Sequence, residues 1–266
     1  MRDDLHAVFV ALHRRDHPLL LANAWDAASA RLWQEAGAAA VGTTSAAVAW
    51  SRGFADGGAL PREELLSNLR GMARVLSVPL TADIEDGYSD DPDAVAALAA
   101  EVAAAGAVGI NIEDGAGAPE RLAAKIRAIR ARLGDTPLFV NARTDVYLRG
   151  LAGGEAAVAE TITRLSLYRD AGADGGFVPG LASVDAAESI AGAVPLAINV
   201  MAVPGLPPLA ALGEAGVVRA SAGPGLFRAA FAAGDDAARA MLRGDFAPCV
   251  DSTLGYGALN AMFAAR

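Results

Sequence analysis

The chain has 266 residues, a formal net charge of −9 and 53% hydrophobic residues, with a single cysteine. Its acidity argues against nucleic acid or an anionic membrane as partner, because both need a basic face. One cysteine excludes an internal disulfide and a multi-cysteine zinc site. No apolar run reaches the roughly 18 residues that span a bilayer. The acidic N-terminus lacks a hydrophobic leader segment, so we expect a cytoplasmic protein.

Short apolar runs alternate with longer helical patterns along the chain. An N-terminal helix is predicted up to about His17 from apolar residues at helical spacing. After it, a strand, a turn and a helix rich in alanine and leucine recur as a unit. The predicted strands are 19–25, 39–45, 79–85, 108–114, 138–145, 175–180, 195–201 and 217–222. Helical patterns between them include 93–105, 119–133, 155–171 and 184–191.

Strands that alternate with helices indicate right-handed crossovers and a parallel sheet. Eight such units predict one (β/α)8 TIM barrel domain over residues 1–266. A dinucleotide-binding sheet loses its main support, because no Gly-x-Gly-x-x-Gly turn follows the first strand. The helices at 226–266 are more apolar than one closing helix needs. They pack either on a neighbouring subunit or on the barrel's own floor.

The stretch 79–89 carries the first chemical signal. If 79–85 is a strand, Asp83 and Glu85 share one face, roughly 6–7 Å apart. Ala82 and Ile84 face the other way, and Gly87 opens a loop. Two carboxylates at a strand end suit a hard divalent cation, and a solvated acidic turn is the alternative.

Other strands keep polar residues in the same phase, which would point them into one volume at the C-terminal ends of the barrel strands. Asp83, Glu85 and Glu113 would then form an acidic cluster with Arg143 opposite. Few histidines and no cysteine cluster favour Mg²⁺ or Mn²⁺ over zinc, with some acids acting through metal-bound water. Arg143 could hold a ligand carboxylate or phosphonate, or could pair with Asp145 or Asp83. The residues in this phase are Thr43, Ser45, Thr81, Asp83, Glu85, Asn111, Glu113, Asn141, Arg143, Asp145 and Asn199.

Aromatic residues near the predicted loops are candidate pocket walls. They are Trp25, Trp50 and Tyr88, and core packing is the alternative for both tryptophans. Lys125 is the chain's one lysine and could form a Schiff base. Because it lies inside the predicted helix 119–133, we favour a solvated surface lysine.

Five runs, in order, resemble the isocitrate lyase/phosphoenolpyruvate mutase superfamily, over most of 18–225. The resemblance implies a (β/α)8 barrel whose eighth helix is often exchanged in a dimer or tetramer. It also implies Mg²⁺ and a 2-oxo acid or enolate substrate, with cleavage or formation of a C–C or P–C bond. The runs are Asn23-Ala-Trp-Asp-Ala-Ala-Ser-Ala-Arg31, Thr43-Thr-Ser-Ala-Ala47, Ala82-Asp-Ile-Glu-Asp-Gly-Tyr88, Gly109-Ile-Asn-Ile-Glu-Asp114 and Asn141-Ala-Arg-Thr-Asp145.

Carried over by position, the resemblance assigns roles to individual residues. Asp83, Glu85 and Glu113 resemble the metal-site acids, and Arg143 resembles the substrate-binding arginine. Asp56 is similar to the acid of the second βα loop. Ser45 resembles part of the family's carboxylate cradle, together with the backbone N–H groups of Ala46 and Ala47.

The chain departs from the family in the loop after the fourth strand. The lyases carry a catalytic cysteine and a histidine there, whereas 115–121 has neither. The lyase reaction on a bulky tricarboxylate is therefore disfavoured. A phosphonomutase is weakened too, because the family's loop lysine and asparagine, and its histidine after strand 6, are missing.

Two functions remain open at this stage. One is a Mg²⁺-dependent enzyme that decarboxylates, hydrolyses or cleaves a small 2-oxo dicarboxylic acid, with Tyr88, Asp56 or Glu113 or metal-bound water moving the proton. We expect Trp25 and Asn199 to contribute to substrate binding. The other is a barrel that binds a 2-oxo acid, such as 2-oxoglutarate, with little turnover.

Overall fold

The computed structural model describes residues 2–251 and 253–264. Eight parallel strands pair in sequence order and close into a barrel, which confirms the predicted (β/α)8 fold. The strands are β1 Leu19–Ala24, β2 Val41–Thr43, β3 Leu80–Asp83, β4 Gly109–Glu113, β5 Phe139–Arg143, β6 Gly175–Phe177, β7 Ala197–Met201 and β8 Val217–Ser221.

Helices surround the barrel and close its N-terminal end. In chain order they are α1 Arg2–Ala11, α2 Ala27–Glu35, α3 Ser45–Ser51, α4 Arg62–Val75, α5 Pro92–Ala104, α6 Pro119–Leu133, α7 Gly154–Asp170, α8 Val184–Ala193, α9 Leu209–Glu214, α10 Gly225–Leu242, α11 Ala247–Val250 and α12 Tyr256–Phe263. The helical pattern predicted over 119–133 has the same bounds as α6 in the structure. None of the described helices is both long and apolar enough to cross a membrane.

Two sequence expectations about strands are wrong in detail. β3 ends at Asp83, and Glu85 has a positive φ of 53°, so the two acids do not share a strand face. In β2, a Cβ added at Gly42 would lie 2.7 Å from Cδ2 of Leu21, a residue of the core inside the barrel floor. Gly42 therefore faces the interior, and the predicted phase that pointed Thr43 inward is shifted by one residue.

An apolar plug fills the N-terminal end of the barrel. Phe9 of α1 packs there with Leu19, Leu21 and Phe139. The His13 ring stacks on Phe139 at 4.6 Å, and its Nδ1 donates to the Phe9 carbonyl at 2.8 Å. This plug leaves the opposite end of the barrel open for a site.

His13 predicts a pH-dependent loss of stability. Burial, aided by Arg219, lowers the pKa of His13 from 6.5 to about 4. Between these values the unfolded chain takes up a proton that the folded chain rejects, so stability falls as the pH drops. We expect a loss of about 3 kcal/mol across that window. Chemical denaturation of wild type and His13→Phe at pH 7 and pH 4 measures the difference.

The His13→Phe variant should lose less stability than wild type between these two pH values, by about the same 3 kcal/mol. His17→Gln is the matched control, since His17 is exposed on the same connection. Equal losses in wild type and His13→Phe would show that His13 is not the group responsible.

The C-terminal helix α10 leaves much of its length unburied. Its buried residues are Phe227 and Ala240, whereas Phe231 and Leu242 are exposed. An apolar groove of about 640 Å³ runs outside β1 and β8, between α2 and α9. Leu20 of β1 lines it and is 62% exposed. Within the predicted extension 226–266, residues 252, 265 and 266 lie outside the described residues.

Candidate active site at the C-terminal end of the barrel

Asp83, Glu113 and Arg143 each end a strand, so they meet at the same mouth of the barrel. The strand register places Asp83 beside Asn111, and Glu113 beside Arg143. An Arg143 Nη1 to Glu113 Oε2 contact of 2.6 Å joins two of them. The strand register thus brings these three side chains to the same end of the barrel.

Asp83 is buried at the end of β3. Its Oδ1 accepts from the Glu85 N–H at 3.2 Å, and its Oδ2 accepts from the Ser45 N–H at 3.4 Å. Burial raises the pKa of Asp83, and the nearby Arg143 opposes that shift. α3 begins at Ser45, so the N–H groups of Ser45, Ala46 and Ala47 have no acceptor within the helix. The Ser45 N–H thus lies at the same mouth as the Asp83 carboxylate, and the cradle with Ala46 and Ala47 stays a prediction.

Glu85 and Tyr88 lie in a tight turn rather than on β3. Both have positive φ, 53° and 59°, a region that non-glycine residues rarely adopt. The Tyr88 hydroxyl donates to Glu85 Oε1 at 3.0 Å. Burial raises the pKa of Tyr88, and Glu85 adds to the effect, so Tyr88 is a neutral phenol. Strained backbone held by a buried polar contact is typical of functional loops.

Asp56 lies on the exposed loop that connects α3 and α4. Its carboxylate lies within electrostatic reach of the acidic cluster, because it raises the pKa values of Asp83 and Glu85. The Gly58 N–H on the same loop favours the ionised form of Glu85. The structure thus brings the second βα loop over the mouth of the barrel.

Arg143 is held in place from two sides. Its Nε and Nη2 donate to Asp145 Oδ1 and Oδ2 at 2.6 and 3.0 Å, which is one of the alternatives considered from sequence. The Asp145 N–H donates to Asp114 Oδ1 at 3.0 Å. Asp114 Oδ2 in turn accepts from Tyr168 at 2.6 Å and from Arg164 at 3.0 Å. This chain fixes the plane of the Arg143 guanidinium.

Glu113 pairs with Arg143 in a largely buried part of the mouth. Burial raises the pKa of Glu113 to about 8; Arg143 opposes that rise, whereas Asp83, Asp145 and Glu85 add to it. A carboxyl group with a pKa near neutrality can both donate and accept a proton. Glu113 therefore has the properties of an acid/base group.

The oxygen-rich mouth fits a hydrated divalent cation better than a directly chelated one. Within 2–251 and 253–264, no three His, Cys, Asp or Glu side chains lie close enough together to hold an ion. Glu85 is turned toward Tyr88, and Glu113 toward Arg143, so the predicted trio does not form a ready three-ligand set. Asp56, Asp83 and Glu85 nevertheless carry excess negative charge. An all-oxygen donor set with excess charge suits Mg²⁺ that keeps several waters.

The two tryptophans are packing residues in this structure. Trp25 meets Trp33 and Phe227 edge-on, with ring centroids 6.1 and 5.1 Å apart. Trp50 packs against the same Phe227 at 5.6 Å. The packing alternative accounts for both rings, and a substrate contact by Trp25 stays a prediction.

The predicted surface position of Lys125 is wrong. Lys125 is 5% exposed, and its Nζ donates to the Asp86 carbonyl at 2.8 Å. Its helical spacing from Leu122 and Ile129, both buried, was the available signal. The lysine therefore supports the loop after β3 rather than meeting solvent.

A buried polar layer lies below the mouth. Asn199 of β7 is fully buried, and neither of its amide atoms has a hydrogen-bond partner among the described residues. Arg219 of β8, which the sequence analysis missed, is fully buried too, and its Nη2 lies 3.4 Å from Asn111 Oδ1. Its signal was a charged residue within an apolar strand. A substrate contact by Asn199 stays a prediction.

Comparison with known proteins places this geometry in a family. The family model for phosphoenolpyruvate phosphomutase matches residues 9–242. The uncharacterized protein Rv1998c of Mycobacterium tuberculosis (strain ATCC 25618 / H37Rv) is 41% identical over 245 residues, which cover 90% of this chain and 91% of that protein. The 2-methylisocitrate lyase of Escherichia coli (strain K12) is 31% identical over 203 residues, or 66% of this chain and 68% of the lyase.

A phosphonopyruvate hydrolase solved in complex with oxalate and Mg²⁺ has the same fold, with a TM-score of 0.84. The match covers 97% of this chain and 94% of the hydrolase chain. Because the two are 22% identical, the likeness concerns the fold alone. The match of the family model over nearly the whole barrel, together with the lyase relative, gives the assignment. The chain belongs to the phosphoenolpyruvate phosphomutase family, within the isocitrate lyase/phosphoenolpyruvate mutase superfamily of lyases and mutases.

Proposed function

We propose that this protein is a Mg²⁺-dependent enzyme that cleaves a C–C bond in a small 2-oxo dicarboxylic acid. Superfamily members act on 2-oxo acids or phosphonates by C–C or P–C cleavage. The observation that carries the proposal is the meeting of buried acids and one fixed arginine, Arg143, at a single barrel mouth. Bound Mg²⁺ would supply Lewis-acid stabilisation of negative charge on the substrate's oxo oxygen, held by Asp83 with Glu85 and Glu113 through water.

The chain's own residues bind and orient the substrate. Arg143 presents a planar guanidinium, fixed by Asp145, to a carboxylate. The N–H groups of Ala46 and Ala47, which have no acceptor within α3, suit the same carboxylate or its oxo oxygen. Groups held rigidly before the substrate arrives lose little entropy on binding, which favours both affinity and rate.

Proton transfer falls to groups other than imidazole or thiol. The Tyr88 hydroxyl donates a hydrogen bond to Glu85, and Glu113 has a pKa of about 8. Either can deliver a proton to a carbanion-like carbon within the mouth. Asp56, on the loop above, is the third candidate and can act once that loop covers the substrate.

The second candidate function is 2-oxo acid binding with little turnover. The observation that favours it is the loop after β4, where Gly115, Ala116, Gly117 and Ala118 offer no side chain that can move a proton. A phosphonomutase, with the same binding groups, is the remaining possibility.

Turnover separates these functions. Oxaloacetate, methylisocitrate, phosphonopyruvate and carboxyphosphonoenolpyruvate would each be incubated with the protein and Mg²⁺, and the products identified by NMR. We expect EDTA-sensitive loss of oxaloacetate. Conversion of phosphonopyruvate or carboxyphosphonoenolpyruvate instead would identify P–C chemistry. No product from any substrate, with oxalate or 2-oxoglutarate still bound tightly, would support the binding function.

We further propose that α10 is exchanged between subunits of a homodimer or homotetramer. In a self-contained barrel the helix after β8 would cover the seam between β8 and β1. Here that seam is the apolar groove of about 640 Å³, and α10 exposes Phe231 and Leu242 instead of filling it. A second copy's α10 supplies an apolar face of the kind that this groove would bury.

Leu20→Asp is expected to convert the assembly largely to monomer. The substitution adds a charge to the groove at a side chain already 62% exposed, so the folded subunit loses little. Light scattering after size-exclusion chromatography measures the mass. Val8→Asp, an exposed apolar residue on α1, is the matched control. An unchanged assembly for Leu20→Asp, or a monomeric wild type, would contradict helix exchange.

A further inference from the structure

Arg149 stands beside the candidate site without a role in the proposed function. It follows β5 by a short segment, and its Nε donates to Asp145 Oδ2 at 3.0 Å. The Asp145 side chain is fully buried and also accepts both bonds from Arg143. One carboxylate is therefore shared between two guanidinium groups.

The two arginines differ in what else balances them. Arg143 has a second carboxylate, Glu113, at 2.6 Å. For Arg149, the contacts within the described part of the chain give Asp145 as its carboxylate partner, and the side chain is half exposed. Arg149 thus has guanidinium N–H groups that can bind another anion.

The free edge of Arg149 faces the same cavity as the acids. That cavity, of about 560 Å³, is lined by Glu85, Tyr88 and Glu113 as well as by Arg149. A Cβ added at Gly115 would lie 3.8 Å from Arg149 Nη2, so the loop after β4 passes close to the guanidinium without a side chain to cover it. A ligand that starts at Glu113 can extend toward Arg149 within one continuous space.

The other cations of this cavity have their partners on the loop after β3. Lys125 donates to the Asp86 carbonyl at 2.8 Å, and Arg121 lies 3.6 Å from Asp90. Arg149, whose partner Asp145 also holds Arg143, is therefore the cation of this cavity most directly linked to the candidate site.

We propose that Arg149 is a specificity-determining residue that binds the distal carboxylate of a 2-oxo dicarboxylic acid, whose oxo-acid end lies beside Glu113 and its ion-pair partner Arg143. This inference rests on the proposed function and narrows its substrate class. It predicts a preference for oxaloacetate over pyruvate, which has the same oxo-acid end and no second carboxylate.

Two ligands separate the role of Arg149 from that of the oxo-acid end. Oxalate reports on the oxo-acid end, because it is too short to carry a distal group. Oxaloacetate reports on both ends. In Mg²⁺, we expect Arg149→Met to raise the KM for oxaloacetate roughly 10- to 100-fold with kcat little changed, and to leave the oxalate Kd within about twofold. Arg149→Lys, which keeps the charge but loses the planar fork, should fall between.

Arg121→Met is the matched control, since it removes an exposed arginine from the same cavity wall and should change neither constant. An equal loss for oxalate and oxaloacetate in Arg149→Met would show that Arg149 only supports Asp145, and would overturn the inference. If Arg149→Met still binds oxalate and its ratio of oxaloacetate KM to oxalate Kd equals that of wild type, the inference would likewise be overturned. A wild type that binds neither ligand with Mg²⁺ would overturn the proposed function, and this inference with it.

Discussion

Asp83→Ala is expected to abolish Mg²⁺-dependent oxalate binding, with a loss of at least about 100-fold in affinity. Asp83 is the acid at the end of β3, and we propose that it holds the cation. Titration calorimetry with oxalate, with and without Mg²⁺, measures the effect. The fold should survive, because burial raises the pKa of Asp83 and an alanine removes that costly buried charge. We therefore expect an unfolding temperature at or above that of wild type.

The matched control for Asp83→Ala is Asp90→Ala. Asp90 is an acid on the loop after β3 whose side chain is 84% exposed, so its removal changes the net charge equally without removing a buried strand-end acid. Oxalate affinity should stay at the wild-type value in this control. Mg²⁺-dependent binding that persists in Asp83→Ala would refute the metal assignment. A lowered unfolding temperature would show instead that the carboxylate is needed for the fold.

Arg143→Lys is expected to weaken oxalate binding by about 1–3 kcal/mol in saturating Mg²⁺. Lysine keeps the charge but lacks the planar fork that contacts Asp145 through two nitrogens and Glu113 through a third. One ammonium cannot serve both carboxylates and still present two parallel donors to a ligand. Calorimetric affinities of the two proteins for oxalate give the difference directly.

Arg130→Lys provides the comparison for that measurement. Arg130 also makes several hydrogen bonds, to the carbonyls of Gly172 and Leu138, but it lies on α6 outside the mouth. Its replacement should cost stability and leave oxalate affinity unchanged. If Arg143→Lys loses no more oxalate affinity than Arg130→Lys does, Arg143 only forms a structural ion pair with Asp145.

Several parts of the site could be predicted because they follow from local pattern. The period-two polarity at Asn111 and Glu113, and again at Asn141 and Arg143, places those side chains inside the barrel mouth. Parallel neighbours in register then bring Glu113 and Arg143 into contact without further information. Asp83 at the end of β3 follows the same alternation from Thr81, whereas Glu85 does not.

Other parts could not be predicted, because contacts distant in sequence decide them. Glu85 leaves the strand since the chain turns there and Tyr88 holds its carboxylate. Lys125 is buried because α6 packs beneath the loop that carries Asp86. Arg219 could not be identified from the residues at the strand ends, because it lies deeper in the barrel, next to Asn111.

By itself, the sequence determined that this chain closes eight strands into a barrel and that Asp83, Glu113 and Arg143 lie near strand ends. Alternation of polarity and small-residue turns are local properties, and they suffice for that. Only the tertiary structure decided that Asp145 is shared by Arg143 and Arg149, and that α10 leaves the seam of the barrel uncovered. Both depend on distances between side chains of separate elements, which the spacing of residues along a chain does not contain.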